Sequence, residues 1–138
     1  MAGVVQGYAA GSFSTAGIGG YGLIGILRGV NMNITTDNTI PMTAASYNLR
    51  RITMTNASIS LTTAAGGIYT AASKGGTAVV AAAQTYAALT SATVTLDLTI
   101  AAAGQNVITA ANPLFLNLTT AQGAAATSDI YIYGERIS

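Results

Sequence analysis

The sequence predicts an all-β protein: an antiparallel, jelly-roll-like β-sandwich over residues 29–138, preceded by an extended glycine-rich arm over residues 1–28. Three observations lead there. Apolar and polar residues alternate with a period of two through much of 29–138, the period of a half-buried strand. Turn-forming clusters divide the alternating runs: Asp37-Asn38, Gly66-Gly67, Lys74-Gly75-Gly76, Gly104-Gln105-Asn106, Asn112-Pro113 and Gly123. No long stretch carries a helical period. Seven or eight short strands at this spacing suit a sandwich or barrel, and 138 residues suffice for one real core.

The elements follow in order. Residues 1–27 hold eight glycines and no charge, and their apolar residues are aperiodic. Glycine-rich chain loses the most backbone entropy on ordering, so this segment reads as an arm that needs a partner. From Gly29 to Thr35, Val30, Met32 and Ile34 point inward, with Asn31 and Asn33 outward. A strand starting near Leu49 carries Ile52 and Met54 inward; its continuation over Ser58–Thr62 needs a register change around Asn56. Gly67–Ala72 and Thr77–Ala81 are shorter strand candidates. Ala81–Leu89 reads as a short helix or an irregular crossover. The clearest alternation is Thr93–Ile100, with Val94, Leu96, Leu98 and Ile100 on one face. Leu114, Leu116 and Leu118 form another inward set. In the last strand Ile130 and Ile132 face inward, and Tyr131 and Tyr133 lie opposite. Alanine has poor β propensity, so Ala64-Ala65, Ala101–Ala103 and Ala124–Ala126 read as loops or sheet edges.

Composition narrows the function. Only 7% of residues are charged, against about 25% in an average soluble domain. The exterior must be Thr, Ser, Asn, Gln, Ala and backbone, a surface suited to facing other protein. Net charge is +1 with the basic residues dispersed, which implies no nucleic-acid partner. The first 27 residues are too often interrupted by glycine for a spanning helix, so no membrane partner is expected. No basic residue precedes Arg28, so no secretory signal is expected. With no Cys, no disulfide framework is available.

Catalytic chemistry is poorly supplied, and the chain reads as a non-enzyme without cofactor or metal. There is no His to act as a base, and the one lysine, Lys74, singles out no serine. The four carboxylates, Asp37, Asp97, Asp129 and Glu135, are scattered and read as solvated or salt-bridged groups. Gly17-Ile18-Gly19-Gly20-Tyr21-Gly22 matches the dinucleotide-loop pattern, but lacks the strand before it and the helix after it. Three glycosylation sequons, at Asn33, Asn56 and Asn117, are chance matches in a Thr-rich chain. The candidate functional residues are contact residues. In the arm they are Val4, Val5, Tyr8, Phe13, Ile18, Tyr21, Leu23, Ile24 and Ile26, expected to meet a neighbouring chain's groove or sheet edge. In the last strand they are Tyr131 and Tyr133, a polar-tipped aromatic pair suited to a protein partner or a carbohydrate.

From Arg51 onward, five runs carry a resemblance: Ile52–Ser58, Gly67–Ala72, Gly75–Val80, Gln84–Thr90 and Asp129–Gly134. In them the chain resembles small structural proteins encoded among the head genes of tailed bacteriophages, of the capsid decoration or cement type. The resemblance implies a virion location on the outer surface of the head. It implies contact with the major capsid protein, commonly as a homotrimer, and bridging of neighbouring capsid subunits against internal DNA pressure. The alternative is a phage tail or fibre component whose sandwich binds a host glycan or receptor. Residues 1–28 lie outside the resemblance.

Overall fold

The computed structural model describes residues 20–138; Val4, Val5, Tyr8, Phe13 and Ile18 lie outside the described residues. Nine strands follow in order: β1 (Tyr21–Asn31), β2 (Asp37–Ile40), β3 (Tyr47–Thr55), β4 (Ala65–Ala71), β5 (Gly75–Val80), β6 (Leu96–Asp97), β7 (Ile108–Thr109), β8 (Leu114–Thr120) and β9 (Thr127–Arg136). One 3-10 turn, Ala102–Gly104, lies between β6 and β7. Sheet A has the order β1-β9-β3-β6, with β7 also on β3; sheet B has the order β2-β8-β4-β5. All named pairs are antiparallel. Among the described strands only β4 and β5 are consecutive in sequence and paired within one sheet. Nearly every other connection crosses between sheets, which gives the strand order of a jelly roll.

Alternation fills the space between the sheets. Ile52 and Met54 of β3, Leu114, Leu116 and Leu118 of β8, and Ile130 and Ile132 of β9 are fully buried. Ile68 and Val80 join them from sheet B, and Val30 and Met32 from the first strand and its exit. Tyr47 and Tyr86 are the largest fully buried side chains. The Tyr47 hydroxyl donates to the Ala111 carbonyl, and that of Tyr86 donates to Gly66 O at 2.9 Å. Burial raises the pKa of both phenols, keeping them neutral donors.

Several elements differ from expectation. The boundary between arm and sandwich falls earlier than residue 28, because Tyr21–Arg28 belong to β1 and pair along β9. Bulges between Leu23 and Gly25 and between Leu27 and Val30 break the alternation, which made this stretch look aperiodic. Asp37-Asn38 opens β2 instead of making a turn, and Gly66-Gly67 sits within β4. A side chain at Gly66 would press on Asn117 O and Thr119 N at 2.7 and 2.8 Å, so β8 approaches β4 as closely as glycine allows. Asn56 has φ 57 and ends β3, so Ser58–Thr62 is a loop that buries Leu61, not a continuing strand.

Ala81–Leu89 takes the irregular form. It bonds beside the start of β4 through Gly66 N to Gln84 O and Tyr86 N to Ala64 O, and it buries Tyr86 and Leu89. Thr93–Ile100 keeps its alternation of exposure but forms only the two-residue β6. The reason is that it changes partner: Leu98 N bonds Ile52 O of sheet A, while Ile100 bridges Val80 of sheet B. Among the described residues no helix is long and apolar enough to cross a membrane.

Candidate interaction surfaces

Strand pairing collects side chains from four strands on the outer face of sheet A. Because Ile130, Ile132 and Gly134 of β9 face the core, Tyr131, Tyr133 and Glu135 face out. The register then sets their neighbours. Tyr133 lies between Leu23 of β1 and Arg51 of β3. Tyr131 lies between Ile26 and Thr53, with Asp97 beyond Thr53. Glu135 lies between Tyr21 and Asn48. Of the expected contact residues, Tyr21 (60% exposed), Leu23 (48%), Ile26, Tyr131 and Tyr133 thus share one face. Ile24 does not: it is buried in the chain's own core and is unavailable to a partner.

The aromatic and ionic groups on this face interlock. The Tyr21 and Tyr133 rings stack with centroids 6.4 Å apart and planes 14° from parallel. Arg51 Nε donates to Asp97 Oδ1 at 3.0 Å, and Thr53 Oγ1 donates to the same oxygen at 2.7 Å. These bonds hold the Asp97 carboxyl below the usual carboxylate range, Thr53 contributing most and Arg51 next. Arg50 pairs with Glu135 Oε1 at 2.7 Å, lowering the Glu135 pKa, and donates to Asn106 Oδ1 at 2.9 Å. Arg28 Nε donates to the Tyr131 hydroxyl at 3.5 Å. Beside the stacked tyrosines runs a groove of about 560 Å³. Its walls are Tyr21, Arg50, Arg51, Asp97, Gln105 and Asn106, and its floor includes Leu49 and Leu98. The alternation exposed Tyr131 and Tyr133 in the sequence. Arg51, Asp97, Gln105 and Asn106 carried no local signal, because only long-range pairing brings them together.

The remaining acids are structural anchors. Asp129 accepts from Gly29 N at 2.9 Å and from Asn56 Nδ2 at 3.1 Å, fixing the β1 bulge to the end of β3. Asp37 accepts from Ser73 N, at 3.0 Å to Oδ2, and from Asn117 Nδ2 at 2.8 Å. It thereby holds the β4–β5 turn, where Ser73 and Lys74 have φ 58 and 63. Asn117 lies between the inward-facing Leu116 and Leu118, so it is on the outer face of sheet B, yet it is buried. Among the described residues no group of three or more His, Cys, Asp or Glu side chains converges. The chain after Gly20 is a strand, where a dinucleotide loop needs a helix.

Charge divides the molecule. Arg28, Arg50, Arg51, Asp97, Asp129, Glu135 and Arg136 all sit in strands of sheet A. Sheet B and its turns hold only Asp37 and Lys74, which adjoin each other at one end. From Gly75 to Thr127 the one charged residue is Asp97. The flank made by sheet B and the 81–95 segment therefore presents exposed Thr39, Thr119, Ala82, Ala83 and Thr85, half-buried Phe115 and backbone. No family model matches the chain, and no curated protein or solved structure matches it.

Proposed function

We propose that the chain is a non-enzymatic structural protein of a bacteriophage virion, decorating the capsid and bridging neighbouring capsid subunits. The observation that carries this reading is the near charge-free flank of sheet B. Protein interfaces are depleted of charge at their core, and burying an unpaired charge is costly. A flank of small uncharged residues can be covered by another protein at little desolvation cost. The jelly roll agrees, since capsid domains use it, although the fold alone fixes no function. The resemblance over residues 51–138 supplies the phage context and the expected trimer. Many modest interfaces repeated over a shell sum to a large stabilisation. Residues 1–19, which carry no charge and include Val4, Val5, Tyr8, Phe13 and Ile18, are the second proposed contact.

The test uses shells of the major capsid protein from the same genome. The chain is expected to co-sediment with them. A Thr39→Lys, Thr119→Lys variant, charged on the bare flank, is expected to lose at least about tenfold in affinity, the equivalent of about 1.4 kcal/mol. Its melting temperature should stay within a few degrees of wild type, because both positions are exposed and the one bond lost is the exposed one from Thr119 Oγ1 to Ala82 O. A wild-type chain that ignores the shells, or a charged variant that binds as well as wild type, overturns the reading. The tail or fibre alternative draws on the opposite, tyrosine-bearing face.

A further inference from the structure

We propose that the groove on the outer face of sheet A binds a neutral oligosaccharide. A sugar ring offers an apolar C–H face and a rim of hydroxyls, each of which both donates and accepts. The groove offers the complement to each. Tyr21 lines the groove and offers it an aromatic surface, and its ring is backed by Tyr133 beside the groove, nearly parallel with centroids 6.4 Å apart. Tyr21 is 60% exposed, leaving that surface open among the described residues.

The polar walls have hydrogen-bonding capacity left over. Arg51 spends Nε on Asp97 Oδ1, which also accepts from Thr53. Among the described residues this leaves the two terminal Arg51 nitrogens as donors beside Asp97 Oδ2 as an acceptor. Such a donor and acceptor side by side match two adjacent hydroxyls. At the other wall, Asn106 Oδ1 is taken by Arg50 and Gln105 Nε2 donates to Ile100 O at 2.6 Å. The Asn106 amide nitrogen and Gln105 Oε1 remain, a second donor and acceptor.

Charge selects the class of sugar. Arg51 is paired with Asp97 and Arg50 with Glu135, so the groove holds no unbalanced cation to favour an acidic sugar. The same pairing orients the walls before binding, which lowers the ordering cost. A volume of about 560 Å³ falls within the range of small-ligand sites. The groove lies on the face away from the bare flank, so sugar binding and shell binding succeed or fail separately.

The experiment is an amide-resolved NMR titration of the full chain. The neutral probes are maltohexaose, cellohexaose and chitohexaose; sialyllactose is the acidic comparator. At least one neutral probe is expected to shift the amides of Gly22, Arg51, Asp97 and Asn106, with a Kd of about 0.1–10 mM. Arg51→Met and Tyr21→Ala are each expected to weaken binding about tenfold or more, with melting temperatures near wild type. Tyr21→Phe, which keeps the ring face, is expected to retain binding. No shift with any neutral probe at about 10 mM, shifts confined to other surfaces, or tighter binding of sialyllactose would each overturn the proposal.

Discussion

Asp97 shows how one exposed residue can still tie strands together. It sits on a two-residue strand, and one of its oxygens holds both Arg51 and Thr53 of the neighbouring strand. These bonds depress its pKa from 3.8, so the folded state releases the proton more readily than the unfolded chain. A depressed carboxyl contributes stability that is fully present above the unfolded value. That stability is lost as pH falls through the lower folded value. The melting temperature of wild type should therefore exceed that of Asp97→Asn most clearly at neutral pH. The gap should close as pH is lowered from about 5 to about 2. A gap independent of pH would assign the effect to packing. Solvent screening keeps the effect modest, since the Asp97 side chain is 55% exposed.

At the scale of the element, β1 separates what the sequence made legible from what it did not. The inward sets of β8 and β9, and of β3 beyond its bulge between Leu49 and Arg51, were readable because there large aliphatic residues recur with a period of two. β1 has two bulges and three glycines, so its eleven residues never alternate cleanly. The pairing that makes it a strand is with β9, a hundred residues away, which no local pattern encodes. The candidate site divides the same way: the tyrosines of β9 were visible, but the Arg51–Asp97 pair was not, because it depends on which strands are neighbours. β2 was hidden for a related reason. Asn38 looks like a turn residue, yet its amide exchanges hydrogen bonds with Asn31 N and O and closes the edge of β1.

A pair of truncations tests the placement of β1. Every core residue among the described ones lies at or beyond Ile24, so removing residues 1–19 should leave the melting temperature within a few degrees of the full chain. Removing residues 1–28 takes away most of the pairing between β1 and β9 and the buried Ile24. Loss of a buried isoleucine side chain alone costs about 2–5 kcal/mol. That is a large share of the about 5–15 kcal/mol that holds a domain of this kind together. The longer truncation should be unfolded or insoluble by circular dichroism. Equal melting of the two would place β1 outside the cooperative fold.

For the whole molecule, the segregation of charge has a consequence for how it can attach to anything. An ion pair between exposed groups weakens as salt shortens the Debye length from about 30 Å at 0.01 M to about 3 Å at 1 M. Contacts between uncharged surfaces do not weaken in this way. If the bare flank of sheet B meets the shell, raising the salt from about 0.01 M to about 1 M should leave the bound fraction essentially unchanged. If the arginines of sheet A make the attachment instead, the same change should release the chain progressively. Sedimentation of shells with the chain across a salt series separates the two orientations directly. The solubility of the free chain follows from the same asymmetry. Its only densely charged surface is the outer face of sheet A, so hydration of that face must resist self-association. Neutralising it with Arg50→Gln, Arg51→Gln, Asp97→Asn and Glu135→Gln together changes no net charge, since two cations and two anions are removed. Light scattering should nevertheless show this variant associating at lower protein concentration than wild type. Unchanged behaviour would mean that the Thr, Ala and backbone exterior keeps the molecule apart without help from the ionic face.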